Sequence, residues 1–126
     1  MADGRSGAPD ELTLRFKLWL DRGGKAFGLG PLKLLRLVRE RGSLRQAAAE
    51  MSMSYNKAWH LLRDLEGRLG FSLVDRSVGG ASGGGSRLTK EAEELVDAYG
   101  ALYAEAEVLL GDLFTRHFGK CRSPSG

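Results

Sequence analysis

Residues 42–76, GSLRQAAAEMSMSYNKAWHLLRDLEGRLGFSLVDR, decide how this sequence folds. Ser43-Leu44-Arg45-Gln46 has the form of a capping box, in which a serine and a glutamine three residues on satisfy each other's backbone donors. The helix opened there places Leu44, Ala47, Ala48 and Met51 at i, i+3, i+4 and i+7, a single apolar stripe. Ala47-Ala48-Ala49 keeps its side chains short, so another helix can cross closely. Ser52-Met53 reads as a brief turn. Ser54 then caps a further helix running to about Leu69, with Ala58, Leu61, Leu62, Leu65 and Leu69 on its apolar side, and Gly70 stops it.

Outward from this stretch the pattern stays regular. Upstream, residues 12–20 alternate, with Leu12, Leu14, Phe16, Leu18 and Leu20 on one face and Thr13, Arg15, Lys17 and Trp19 on the other. That period of two predicts a half-buried strand, followed by a turn at Asp21-Arg22-Gly23-Gly24 and a short returning strand at Lys25–Leu29. Gly30-Pro31 opens a helix with Leu34, Leu35 and Val38 inside, ended by Gly42. Downstream, Leu73–Arg76 and Arg87-Leu88 read as two short strands around a glycine-rich loop, GGASGGGS at 79–86. Thr89 caps a last helix reaching Phe118, roughly 45 Å long at ~1.5 Å per residue. Along it Leu95, Tyr99, Leu102, Ala106, Leu109 and Leu113 recur at 4-3-4-3-4, a heptad seam that calls for a partner helix.

The predicted fold class is therefore mainly α with small β: a winged helix-turn-helix with a leading strand or hairpin and a long C-terminal dimerisation helix. The expected organisation is a disordered lead at 1–10, the winged helix-turn-helix at 11–88, the dimerisation helix at 89–118 and a tail at 119–126.

Composition agrees with one globular domain. The chain has 126 residues, 42% hydrophobic and 28% charged, and its single cysteine, Cys121, excludes an internal disulfide framework. No leader and no run of ~20 apolar residues is visible, so a soluble, cytoplasmic protein with no membrane contact is expected. Charge is lopsided. Residues 1–90 hold 16 Lys/Arg against 9 Asp/Glu, a balance of +7, and residues 91–126 hold 3 against 7, a balance of −4, making the net +3. A basic first part suits a polyanionic partner.

A helix-turn-helix sets its second helix into a DNA major groove, where the first turns meet base edges. Here that turn is Ser54-Tyr55-Asn56-Lys57, with His60 and Arg63 one and two turns later. Asn56 can pair bidentately with adenine, and Lys57 can reach guanine or a phosphate. Ser43 and Ser54 are caps whose helix N-termini also suit phosphates, and Arg45 and Gln46 suit backbone contact from the supporting helix. Trp59 either stacks on a sugar or packs in the core. The glycine-rich segment at 77–87 lacks the Gly-Lys-Ser/Thr of a phosphate loop and reads as a wing, or else as a plain hairpin. Its flanking Arg76, Arg87 and Lys90 would neutralise phosphates.

From Gly42 to Arg76 the sequence resembles the DNA-binding domain of LysR-type regulators, including the ending Leu65-Glu66, Leu69-Gly70 and Leu73-Val74-Asp75-Arg76. It resembles more closely the amino-terminal domain of the ModE family of molybdate-responsive regulators. The marks are the leading strand, Ser54-Tyr55, Ala58-Trp59, Leu73-Val74-Asp75-Arg76, the Gly79-Gly80 and Gly83-Gly84-Gly85 wing, and Leu88-Thr89, over about residues 12–115. The resemblance implies a homodimer, joined through the last helix and the first strands, that reads a palindromic operator in double-stranded DNA. In that family molybdate binds to separate carboxy-terminal domains, so no oxyanion site is expected among these residues, and an effector-sensing partner would be a separate element.

Two other classes compete. A winged helix can serve as a protein-interaction or adaptor module without DNA sequence specificity, with the acidic last helix docking a partner. An enzyme is not expected, nor any cofactor or metal: His60 and His117 are far apart, and no nucleophile elbow, metal-ligand pair or cofactor fingerprint occurs.

Overall fold

In the computed structural model, which describes residues 11–75 and 85–119, four helices and two small hairpins follow in the expected order. The first hairpin pairs β1 (Leu20–Asp21) antiparallel with β2 (Lys25–Phe27). Helix α1 covers Leu29–Arg41, α2 Leu44–Glu50 and α3 Tyr55–Leu69. The second hairpin pairs β3 (Val74–Asp75) with β4 (Arg87–Leu88), and α4 covers Lys90–Phe118.

Two expectations need correction. The strand predicted over 12–20 is reduced to its last residue, because β2 is only three residues long before the chain turns into α1. Among the described residues no strand pairs with 12–19, and Leu12 and Leu14 remain 52% and 44% exposed. The first helix also begins at Leu29 rather than Gly30, with Leu32 N bonded to Gly28 O at 3.0 Å, so Pro31 sits inside the first turn. Its missing N–H has no intrahelical partner to lose there.

Residues Leu18–Leu102 form one compact unit. Its core is Phe27 from β2, Leu32, Leu34, Leu35 and Val38 from α1, Leu44, Ala47 and Ala48 from α2, Ala58, Leu62 and Leu65 from α3, and Ala92, Val96 and Tyr99 from α4. Leu73, Val74 and Leu88 close it beneath the second hairpin. The Phe27 and Tyr99 rings meet edge to face at 5.3 Å, and Tyr99 Oη donates to Leu18 O at 2.6 Å. The described parts of Met1–Lys17 and Tyr103–Gly126 form a second unit, where Phe16 stacks on Tyr103 at 5.3 Å and Phe114 lies 5.2 Å from Phe118.

Local chemistry explains the joints. Gly42 and Gly70 end α1 and α3 in the left-handed conformation that glycine adopts without cost. At Gly24 the backbone favours glycine, with φ at +134°; a Cβ there would also displace the flexible guanidinium end of Arg68, whose Nε would lie 2.7 Å away. Ser52, in the turn between α2 and α3, holds φ +59°, which disfavours any side chain. That conformation costs a non-glycine residue ~1–2 kcal/mol, against ~0.5–1 kcal/mol of extra chain entropy for glycine. Ser52→Gly should therefore raise stability by about 0.5–1 kcal/mol in urea denaturation with an unchanged slope; a lowered midpoint would contradict this account of the turn.

Candidate nucleic-acid interface

Helix α3 buries a narrow stripe, Ala58, Leu62 and Leu65, and leaves its leading polar turn in solvent. Ser54 is extended (φ −71°, ψ 158°) and its Oγ accepts from Lys57 N at 3.0 Å, so the expected cap is formed. Asn56, Lys57, His60 and Arg63 are all exposed. Asn56, His60 and Arg63 recur at i, i+4 and i+7 and share one face. Tyr55 is half-buried and lies under Arg45 of α2, with the guanidinium carbon 4.3 Å from the ring centroid.

The second N-terminus lies at α2. Ser43 Oγ accepts from Gln46 N at 3.1 Å, while the Gln46 and Arg45 side chains are exposed. Beside it runs the strand entering β4: Ser86 N donates to Gly42 O at 2.9 Å, and Leu44 N donates to Ser86 Oγ at 3.3 Å. These bonds tie the base of the second hairpin to the start of α2, one residue before the exposed Arg87. The hairpin register pairs Val74 with Leu88 and Asp75 with Arg87. Arg76 and residues 77–84 of the expected wing lie outside the described residues.

Two further anchors hold this edge. Glu66 of α3 accepts from Leu73 N at 2.7 Å through Oε2, fixing the chain as it enters β3. Thr89 caps α4 as expected, Oγ1 accepting from Ala92 N at 3.0 Å, and the same hydroxyl donates to Ser72 O at 2.7 Å. With Thr89 N on Leu73 O at 3.0 Å, one residue locks the last helix to the hairpin. Lys90 follows, exposed.

Arg41 hydrogen-bonds Glu50, holding that carboxyl below its ordinary value, and Arg39 pairs with Glu93 at 3.4 Å and Asp97 at 3.6 Å. Among the described residues no group of three His, Cys, Asp or Glu is arranged to hold a metal ion, and no helix is long and apolar enough to cross a membrane.

The expected seam of α4 divides. Tyr99 is fully buried in its own chain's core against Phe27, which corrects its assignment to an interface between copies. Leu95 and Ala106 are half-buried. Leu102, Leu109 and Leu113 stand 44%, 61% and 40% exposed.

Sequence reasoning missed Ser86 and the arginine partners of Tyr55 and Trp59. Ser86 has no signal beyond its place at the end of a glycine run. Tyr55 was placed among DNA contacts, but its partner Arg45 is ten residues away on another helix. Trp59 is neither free nor fully buried; the Arg63 guanidinium carbon lies 4.6 Å from its ring centroid. The i, i+4 spacing of Trp59 and Arg63 was legible.

The fold and this exposed edge define a winged helix-turn-helix. Comparison with known proteins agrees. Residues 29–93 match the family of bacterial regulatory helix-turn-helix proteins of the lysR type. The chain is 34% identical over 110 residues to the molybdenum-pterin-binding protein MopB of Rhodobacter capsulatus, covering 87% of this chain and 41% of MopB. It is 35% identical over 71 residues to the transcriptional regulator ModE of Yersinia pestis, covering 56% of this chain and 27% of that protein. Against the DNA-binding transcriptional dual regulator ModE of Escherichia coli the identity is 32% over 71 residues, with the same coverage. This chain belongs to the lysR family of bacterial regulatory helix-turn-helix proteins, with ModE regulators among its relatives. It spans less than half the length of the relatives named here.

Because Thr89 both caps α4 and clamps the hairpin, Thr89→Val should cost about 1–2 kcal/mol in chemical denaturation. Hydrogen exchange should quicken at Ala92 N, the amide that loses its acceptor; unchanged stability and protection there would refute the clamp.

Proposed function

We propose that this chain is a sequence-specific, double-stranded-DNA-binding transcription regulator of the ModE kind, acting in the cytoplasm as a homodimer on a palindromic operator. The observation that carries the reading is the leading turn of α3: capped by Ser54, opposite the buried Ala58/Leu62/Leu65 stripe, with Asn56 and Lys57 exposed. In this reading α3 enters the major groove and Asn56 pairs with an adenine. The N-termini of α2 and α3, with Ser43, Arg45, Gln46 and Lys57, hold phosphates beside the groove. Arg87 and Lys90, with Arg76 and the 77–87 wing, hold the backbone on the other side.

Residues 11–88 then serve as the DNA-binding domain and 89–118 as the dimerisation helix. Support for the dimer comes from the exposed leucines of α4, since a helix of 29 residues with Leu102, Leu109 and Leu113 in water leaves apolar area that a second copy would cover. Two α3 helices in such a dimer would lie about 34 Å apart, one turn of DNA. The molybdenum-pterin binding in the name of MopB is assigned to no residue here.

Selection of bound duplexes from a random pool tests the reading, and a two-fold symmetric consensus is the expected result. A chain that enriches no sequence at low salt would instead be an interaction module. On the selected operator, Asn56→Ala should relax preference at one base pair by ~1–3 kcal/mol, whereas Arg87→Ala should weaken all duplexes alike. Exchanging Leu102 and Leu109 for glutamates should give monomers in analytical ultracentrifugation; surviving dimers would place the interface elsewhere.

A further inference from the structure

Both aromatic rings on the exposed half of α3 carry an arginine. Arg63 lies over Trp59 from one turn along the same helix, and Arg45 lies over Tyr55 from α2. The ion pairs among the described residues involve Arg39 and Arg41, and neither stacked arginine takes part in them. A guanidinium laid on a ring has its plane fixed while its N–H donors remain free at the edge. The ordering of a long side chain is then complete before a ligand arrives, which favours directional over merely electrostatic contact.

The two arginines are not equivalent. Arg45 is at the start of α2, beside the Ser43 cap, where a backbone phosphate suits it. Arg63 lies on the Asn56/His60 face of α3, seven residues beyond Asn56. At ~1.5 Å per residue that is about 10.5 Å along the helix, far enough for the two side chains to meet different base pairs. Trp59 is half-buried, so the fold rather than solvent sets the ring's position.

We infer that Arg63, held on the Trp59 ring, reads a guanine in a base pair other than the one met by Asn56, with Trp59 as the positioning residue. The inference rests on the DNA-binding reading above. Guanine offers O6 and N7 as adjacent acceptors, a match for a fixed guanidinium fork; a phosphate can take the same fork but carries no base preference, and base preference is what the experiment reads.

The experiment selects operators for the wild-type chain, then measures affinity for duplexes changed one base pair at a time. Arg63→Lys keeps the charge and removes the fork. It should lose preference at one G·C pair by about fivefold to a hundredfold, with the dependence of affinity on salt unchanged. Trp59→Leu should lose several-fold at the same pair, and Trp59→Phe, which restores a ring, should recover most of it. If Trp59→Leu weakened every duplex equally and kept the G·C preference, the ring would be packing alone and the inference would fail. It would fail equally if Arg63→Lys, on an exposed side chain that leaves the core untouched, kept full base preference. A wild-type chain that enriches no sequence overturns the regulator reading itself, and the role of Arg63 with it.

Discussion

The narrowness of the stripe that α3 buries is the constraint on which the rest depends. Three residues, Ala58, Leu62 and Leu65, are the ones this helix buries, and α2, which packs against it, buries the equally small Ala47 and Ala48 along with Leu44. Short side chains on both helices let them cross closely, and close crossing keeps the turn between them short. That turn is tight enough to force Ser52 into a left-handed conformation. Had α3 buried a broader face, Asn56, His60 and Arg63 could not all stand in water. The outward polar edge follows from how little of the helix the core uses.

Around that edge the structure relies on small hydrogen-bonding residues at chain reversals. Ser43, Ser54 and Thr89 each cap a helix, and Ser86 and Thr89 also tie the second hairpin to its neighbours. Each bond is worth only ~1 kcal/mol, but together they set the angle between two helix N-termini and the hairpin base. The uneven charge of the sequence resolves in part into internal pairs: Arg39 of α1 meets Glu93 and Asp97 of α4. Such exposed pairs add little stability.

Much of this was legible in the sequence because it depends on local periodicity. The i, i+3, i+4 stripes, the serine caps and the glycine stops located α1, α2, α3 and α4 to within a residue or two. The strand expected at 12–20 failed for a non-local reason: alternation describes a face, and a strand also needs a partner, which β2 is too short to provide. Tyr99 fitted the heptad seam equally well, yet Phe27, 72 residues earlier, draws it into the core. At the candidate interface the exposed polar residues were readable from helix geometry. The stack of Arg45 on Tyr55 and the ties from Ser86 were not, since both join segments that only the tertiary fold brings together.

The central claim is that the leading turn of α3 faces outward and receives a duplex. Its most direct test is an amide-resolved NMR titration of the chain with operator DNA at low ionic strength. The account predicts that the largest shifts fall on Ser54, Asn56, Lys57, His60 and Arg63, with smaller ones at Ser43 and Arg87 and little change at the buried Val96 and Tyr99. Shifts confined to α4 or the first hairpin, with α3 unmoved, would contradict it.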